Sequence, residues 1–323
     1  MRFFHRLAPA LVLLCSLVSG AQAADPEYPT KPIRWIVPYP PGGSTDLIAR
    51  LMGNWVSQRL GQQVVIENRA GGGNNIGTEA AIRAPADGYT IFLVNPANAI
   101  NATLYSKLPF NFLEDMVPVA GFVRVPNVMT VTKNFPANTV AEFIDYARKN
   151  PGKVNMASSG AGTSVHLSGE LFKSMAGIDM KHVPYKGAGP ATTDLISGQV
   201  DVIFDNMPSI IGHIRGGTVR ALGVTSAQRS PALPDVPAVA ETVPGYEASA
   251  WFGASAPKGT PAYAIARLNR EFNAALADPA MRARLADLGG VPIPGTPEQF
   301  WALHRMETER WAKVVQASGA KAD

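Results

Sequence analysis

Two glycine-rich segments of the sequence have residue types that suit the binding of an anion. The first is Pro38–Asp46, which reads PYPPGGSTD, and the second is Ser158–His166, which reads SSGAGTSVH. Each stands between a predicted β-strand and a predicted α-helix. The first N–H groups of a helix lack partners within it and carry partial positive charge, which attracts an anion. Either segment could therefore hold a carboxylate through backbone N–H groups and hydroxyls, without a lysine or an arginine.

The first segment also admits a plainer interpretation. Proline, glycine, serine and threonine are the usual residues of a capped turn, and we expect Ser44 or Thr45 to cap the helix that follows. We favour ligand binding because two prolines and two glycines exceed what a turn needs, and glycine lets the backbone approach a ligand closely. Asp46 is expected to complement the helix dipole instead of contacting the ligand.

Three further polar residues each leave two interpretations open. His166 lies in the first turn of the second helix, where it either donates to a ligand or is buried against the backbone. Asp205 ends a predicted strand over 200–204, where it suits a ligand amine or caps a helix near Pro208. Asn95 follows another predicted strand and either bonds a ligand or shapes the Asn-Pro turn.

Alternating strands and helices must position these residues. Hydrophobic runs and helical spacings predict strands that alternate with helices, which is typical of a parallel sheet covered by helices, and the fold class is therefore α/β. The predicted strands of a first unit are 33–39, 63–67 and 89–94. Those of a second unit are 154–157, 181–185, 200–204 and 219–225. Residues 226–250, rich in proline, alanine and serine, are predicted to form a surface connection.

The second unit is predicted to be inserted into the first. The chain would cross near 122–126 and return near 247–251, and two crossings make a hinge between two lobes that can close on a ligand. We place lobe 1 in residues 24–123 and 251–323, and lobe 2 in residues 124–250. In such sheets, ligands bind beyond the carboxyl ends of the strands, which is where both glycine-rich segments lie.

Composition excludes several classes of protein. The 323 residues hold 29 Lys and Arg against 25 Asp and Glu, and the net charge of +4 gives no basic face for nucleic acid. Hydrophobic residues make up 46% of the chain, which is enough to repay the entropy of folding and excludes a disordered protein. A single cysteine excludes a disulfide scaffold.

The N-terminus has the features of an export signal. Two arginines accompany an apolar run over 7–18, and Ala21-Gln22-Ala23 closes it as a cleavage site. The run is too short to span a bilayer. We expect cleavage after Ala23, which removes residues 1–23 as a signal peptide together with the one cysteine. The mature protein is then exported and free of thiols.

Signatures of enzymes are missing from the sequence. Gly71–Gly77, which reads GGGNNIG, does not fit the dinucleotide-binding pattern, and no phosphate-binding P-loop or nucleophile elbow occurs. No two histidines have the spacing of a zinc site. We therefore expect no catalytic residue, no cofactor and no metal. An exported α/β hydrolase, with Ser159 or Ser164 as nucleophile, and a plain interaction protein remain as alternatives.

Several segments resemble one family. Val37–Asp46 strongly resembles the hallmark loop of the Bug-type solute-binding receptors, the extracytoplasmic binding proteins of tripartite tricarboxylate transporters. One departure is Asn74, where the family more often has glycine. Other similar segments follow in order along nearly all the mature chain: Glu67–Gly77, Pro85–Thr90, Gly162–Phe172, Val183–Gly187, Gly198–Asp205 and Pro257–Pro261.

The resemblance implies a two-lobed periplasmic binding protein fold of type II, a Venus-flytrap that closes on a small carboxylate. It implies a periplasmic receptor, not an enzyme, which delivers an organic acid or acidic amino acid to a tripartite tricarboxylate-type membrane transporter or to a sensor. We expect a monomer. Together with the loops above, it gives the candidate ligand-binding residues Tyr39, Gly42, Gly43, Ser44, Thr45, Asn95, Ser158, Gly160, Thr163, Ser164, His166 and Asp205.

Overall fold

The structure is a computed structural model that describes residues 27–322. The predicted signal peptide, residues 1–23, lies outside the described residues. The strands are β1 (Ile33–Val37), β2 (Val64–Asn68), β3 (Thr90–Val94), β4 (Met116–Thr132), β5 (Asn155–Ser158), β6 (Lys181–Pro184), β7 (Val202–Asn206), β8 (Val219–Val224), β9 (Ser249–Pro257) and β10 (Val291–Pro292).

Helices follow most of the strands. They are α1 (Ser44–Leu60), α2 (Asn75–Ile82), α3 (Pro96–Leu104), α4 (Phe112–Asp115), α5 (Val140–Lys149), α6 (Ser164–Ala176), α7 (Ala188–Ser197), α8 (Met207–Arg215), α9 (Ala262–Ala277), α10 (Pro279–Asp287) and α11 (Pro297–Ser318). Among the residues that the structure describes, no helix is long and apolar enough to cross a membrane.

The strands form two sheets that share one long strand. Their order is β2-β1-β3-β9-β4-β7-β5-β6, and β8 and β10 also pair with β4. In lobe 1, β1 runs parallel to β2 and β3, and in lobe 2, β5 runs parallel to β6 and β7. The shared strand β4 runs antiparallel to both β9 and β7. The fold class is confirmed: two α/β lobes, the second inserted into the first.

The crossing strand β4 is absent from the sequence analysis, which predicts only a crossing near 122–126. Pro118, Gly121 and Pro126 interrupt its hydrophobic pattern. The strand accommodates them because its pairing with β9 shifts register twice, between Pro118 and Ala120 and just after Gly121. Bulges of this kind release ladder positions that a proline cannot fill.

The change of sheet partner along β4 marks the hinge. Pro126 is the last residue of β4 to pair with β9, opposite Ser249, and Asn127 is the first to pair with β7. Thr225, fully buried after β8, joins both crossings: its hydroxyl accepts from Asn127 N–H at 2.7 Å and lies 2.6 Å from Ala248 O. The predicted lobe boundaries at residues 123 and 250 stay predictions.

The connection from residue 226 to the start of β9 is only partly a surface segment. It contains no β-strand or α-helix, as expected, but Val239 and Tyr246 are buried. The Tyr246 hydroxyl donates to Ser168 O at 2.9 Å, on α6. A large aromatic ring with a satisfied hydroxyl is a common anchor in a core, so this segment covers the core of lobe 2.

Candidate functional site

The loop between β1 and α1 bends sharply before the helix begins. Gly42 has a φ of +92°, and its N–H donates to Asp46 Oδ2 at 3.0 Å. The helix starts at Ser44 with Gly43 as its N-cap, and no side chain caps it. The expectation that Ser44 or Thr45 caps this helix is therefore wrong, since both residues already belong to its first turn. The N–H groups of that turn have no acceptor within the helix and face the cleft.

A hydroxyl group within the loop between β5 and α6 fixes the conformation of that loop through two hydrogen bonds. Thr163 is the N-cap of α6, and its Oγ1 accepts from His166 N–H at 3.2 Å. The same hydroxyl donates to Gly160 O at 2.7 Å. Gly160 and Gly162 have φ values of +130° and +79°, in the left-handed region that favours glycine. The loop therefore presents the N-terminus of α6 in a fixed orientation.

Both loops border one small cavity between the lobes. Because α1 belongs to lobe 1 and α6 to lobe 2, two helix N-termini meet there from opposite sides. The predicted site residues that line it are Tyr39, Gly43, Ser44, Thr45, Asn95, Thr163, Ser164 and Asp205. The other predicted residues, Gly42, Ser158, Gly160 and His166, lie outside the lining.

Several residues of the lining were not predicted from the sequence. They are Pro40, Pro96, Ser159 as a ligand-site residue, Ala188, Asn206, Ser209 and Phe252. Ser209 had a usable signal, because Asn-Met-Pro-Ser after a strand is typical of a helix start. The sequence carries no such signal for Phe252, because the order of residues along β9 does not show which of its side chains reaches the cleft.

The polarity of the cavity suits an anion held by neutral donors. Within the described chain, its lining contains no lysine, arginine or histidine. Apart from the carboxyl of Asp205, the polar groups are hydroxyls, amides and the first N–H groups of the two helices. Asn206 Nδ2 donates to Ser164 Oγ at 3.1 Å and to Asn127 Oδ1 at 2.7 Å, which fixes part of this donor array. The arrangement can bind a carboxylate through hydrogen bonds.

Asp205 is the one carboxylate in the lining. Its side chain is buried, and burial raises the pKa of the carboxyl to about 6, although hydrogen bonds from Ser209 and from the Asn206 N–H act to lower it. Ser209 Oγ donates to Asp205 Oδ2 at 2.7 Å, and Asn206 N–H donates to Oδ1 at 2.9 Å. Both oxygens of the Asp205 carboxyl therefore already have partners within the protein.

Asn95 both lines the cavity and caps a helix. Its Oδ1 accepts from Ala97 N–H at 3.1 Å, which caps α3. Its Nδ2 donates to Asn74 Oδ1 at 2.9 Å. Asn74, the position that departs from the family, has a φ of +93° and donates to Thr78 Oγ1. This asparagine therefore adopts the left-handed conformation that glycine would allow. Its side-chain amide makes hydrogen bonds through both its nitrogen and its oxygen.

The Tyr39 hydroxyl is kept neutral in the cleft. Burial, and then the neighbouring Tyr105, raise the pKa of Tyr39. A neutral phenol can donate a hydrogen bond to an anion, whereas a phenolate would repel it.

His166 stands behind the second loop. Its Nδ1 accepts from Gly162 N–H at 3.3 Å, and its ring stacks on that of His182 with centroids 3.9 Å apart. Burial, then His182 and Lys173, lower the pKa of His166 to about 3, so the ring is neutral. Its position fits a loop-supporting histidine; it does not line the cavity.

A serine and an imidazole also meet here, but away from the cavity. Ser158 Oγ lies 2.6 Å from His182 Nε2. Ser158 is fully buried and outside the lining, so this hydroxyl does not face the cavity. In the part of the chain that the structure covers, no group of three or more acidic, histidine or cysteine side chains could hold a metal ion.

Known proteins resemble this chain over its whole described length. The family model "Tripartite tricarboxylate transporter family receptor" matches residues 48–320. Protein BugT of Bordetella pertussis is 39% identical over 324 residues, which cover 99% of both chains. The solved structure of R. palustris Rpa4515 with adipate is 38% identical, with a TM-score of 0.89, over 91% of this chain and 99% of its own.

A second solved structure agrees with these. Periplasmic binding protein BugD is 34% identical, with a TM-score of 0.88, over 92% of this chain and 100% of its own. The resemblance that the loops predict is thereby confirmed over the full fold. The chain belongs to the receptor family of the tripartite tricarboxylate transporters and is a solute-binding protein of the Bug type.

Proposed function

We propose that this protein captures a small carboxylate between its lobes and delivers it to a membrane transporter of the tripartite tricarboxylate type or to a sensor. One observation carries the proposal: the N-termini of α1 and α6, from different lobes, border a single cavity without a basic side chain. Such a cavity favours an anion that is small enough to touch both helices. The adipate held by Rpa4515 is of this chemical class.

The wider setting of the proposal follows from the family. Its receptors act outside the cytoplasm, so we place the mature protein in the periplasm, as a monomer, after cleavage behind Ala23. The closed lobes would present the surface that a transporter recognises. The chain itself would catalyse nothing, because the serine that touches an imidazole, Ser158, is sealed from the cavity.

Thermal unfolding with a panel of carboxylates tests the proposal. A ligand that binds only the folded state stabilises it by RT ln(1 + [L]/Kd), which is about 2.7 kcal/mol at a hundred times Kd. We expect the Tm to rise with the logarithm of concentration for at least one of succinate, malate, adipate, citrate and glutamate. The matching diamides serve as controls, since they lack the charge that the helix N-termini attract.

Two results would contradict the proposal. A panel that leaves the Tm unchanged up to millimolar concentration would remove carboxylates as the ligand class. Turnover of a simple ester that disappears in Ser159→Ala or Ser164→Ala would establish the hydrolase instead, since both serines lie at the cavity.

A further inference from the structure

A hydroxyl of lobe 1 and a helix of lobe 2 meet across the cleft. Ser44 lies in the first turn of α1 and Ser209 in the first turn of α8. The Ser44 hydroxyl donates to Ser209 Oγ at 3.1 Å. In return, the Ser209 backbone N–H donates to Ser44 Oγ at 3.1 Å. Two hydrogen bonds therefore join the lobes at the edge of the ligand cavity.

The lobe 1 hydroxyl completes a helix of lobe 2. Asn206 is the N-cap of α8, but its side chain makes no capping hydrogen bond, and Pro208 has no N–H. The N–H of Ser209 needs an acceptor outside its own helix, because the first N–H groups of a helix have none within it. Ser44 Oγ is that acceptor. When the lobes separate, α8 loses this partner and only water can replace it.

Asp205 fixes the direction of the chain of hydrogen bonds. The Ser209 hydroxyl is 2.7 Å from Asp205 Oδ2 and 2.8 Å from Asn206 O, and both of these atoms are acceptors. A hydroxyl has one proton, so Ser209 gives its proton to one of them and its oxygen accepts from Ser44. The order is Ser44 to Ser209 to Asp205.

A consequence follows for the ligand. In the closed cleft the Ser44 hydroxyl donates its proton to Ser209 Oγ, so it cannot also donate to a bound carboxylate. Ser44 is only 4% exposed, which leaves the backbone N–H groups of α1 and the Thr45 hydroxyl as the donors from this first turn. We infer that Ser44 and Ser209 form an interlobe latch that holds the cleft closed, with Ser209 as a positioning residue. The inference rests on the proposed function in one respect: the ligand over which the latch closes is the ligand of that function.

The latch is tested first without any ligand. Nitroxide labels at the exposed Gln63 of lobe 1 and Lys149 of lobe 2 report the distance between the lobes by electron spin resonance. Ser44→Ala removes both cross-lobe hydrogen bonds and leaves the Ser209–Asp205 pair intact. Two modest hydrogen bonds shift an equilibrium roughly tenfold, so we expect the open fraction to rise by about that factor.

Two further variants separate the latch from a general loss of structure. Ser209→Thr keeps the hydroxyl and should match the unsubstituted protein, whereas Ser209→Ala should open the cleft. Ser197→Ala removes an exposed serine hydroxyl on α7 that bonds only to Asp194 O, and should change nothing. An unchanged distance distribution in Ser44→Ala would overturn the inference, whatever the protein binds.

Adipate binding then separates a latch from a direct ligand contact. A latch predicts that Ser44→Ala speeds adipate dissociation roughly tenfold, that the association rate changes little, and that Ser44→Ala/Ser209→Ala is no weaker than Ser44→Ala alone. A direct contact predicts that only Ser44→Ala weakens binding, and that result would overturn the latch. If no carboxylate binds, the proposed function fails, and the ligand-free distances still decide on the latch.

Discussion

At the scale of single residues, burial decides the protonation of two groups in opposite directions. Asp205 is 1% exposed at the cavity, and burial raises the pKa of its carboxyl to about 6. His304 is fully buried and stacks on Phe112 with ring centroids 5.0 Å apart, and its Nε2 has no hydrogen-bond partner. Burial lowers the pKa of His304 to about 3. Each group is therefore pushed toward its neutral form.

The two groups should give stability profiles of opposite slope. The folded Asp205 binds its proton more tightly than the unfolded chain does, so its contribution to the free energy of unfolding falls as pH rises from about 4 to about 6. The folded His304 binds its proton more weakly, so its contribution falls as pH drops below about 6.5. Each slope is about 1.4 kcal/mol per pH unit.

Urea unfolding at several pH values measures both slopes. Subtracting the Asp205→Asn profile from the unsubstituted one should leave a difference that falls with pH between 4 and 6. Subtracting the His304→Phe profile should leave a difference that rises with pH below 6.5. Each variant is the control for the other, because an effect of substitution alone would shift a curve without tilting it. Parallel curves would contradict the burial argument.

At the scale of the elements, one hydroxyl has two tasks. Thr163 caps α6 and also closes the β5–α6 loop by donating to Gly160 O. Thr139 caps α5 in the same way, since its Oγ1 accepts from Glu142 N–H at 3.1 Å. Only Thr163 borders the cavity. The two threonines therefore allow the cost of a lost cap to be separated from the loss of a binding loop.

We expect both Thr163→Ala and Thr139→Ala to lose stability, but only Thr163→Ala to lose affinity. Loss of a threonine cap costs about 1 kcal/mol, so the free energy of unfolding should fall by about that much in Thr139→Ala, and by more in Thr163→Ala, which also loses the hydrogen bond to Gly160 O. Calorimetric titration with adipate, or with the carboxylate that the thermal screen selects, should show weaker binding for Thr163→Ala alone. Equal affinities in the two variants would argue against a role for this loop in binding.

At the scale of the whole molecule, closure depends on glycine where the lobes touch. A Cβ added to Gly162 of lobe 2 would overlap Asn101 Oδ1 of lobe 1. A Cβ added to Gly73 of lobe 1 would lie 2.5 Å from Ala161 O of lobe 2. At Gly162 the Asn101 side chain could shift to make room, but at Gly73 the clash is with backbone, so a side chain at Gly73 would move the lobes apart. The glycine-rich character of these loops thus serves contact between lobes as well as access to the ligand.

Gly73→Ala should therefore wedge the cleft open. Its φ of +58° also strains an alanine, so Gly177→Ala is the matched control: Gly177 has a φ of +62°, but nothing lies within 4 Å of its Cβ position. Both variants should lose about 1–2 kcal/mol of stability from backbone strain.

Only the first variant should change the shape of the molecule. Small-angle X-ray scattering should give a larger radius of gyration for Gly73→Ala, and its affinity for the bound carboxylate should fall by roughly tenfold or more. If Gly177→Ala showed the same opening, strain and not lobe contact would be the cause.

The local sequence was sufficient for much of the fold and for the loops of the site. Alternating hydrophobic runs placed most strands within a few residues, and the Pro-Gly-Gly-Ser and Gly-Thr-Ser segments were located at strand-to-helix junctions. The strand β4 was missed, because its prolines and glycine hide a pattern that only the pairing with β9 reveals. The cap of α1 was misassigned, because nothing local shows that the Ser44 hydroxyl has a better partner elsewhere.

The α/β class, the inserted lobe and the two helix N-termini that can hold an anion follow from the sequence alone, and the resemblance of its loop motifs points to the family. The first three features depend on residues close together in the chain, where propensity and spacing act directly. The folded arrangement was needed to show that Ser44 bonds Ser209, that the His166 ring accepts from Gly162 N–H, and that Asp205 is enclosed. These contacts join residues far apart in sequence, and which of them meet is set by how two lobes fold and close.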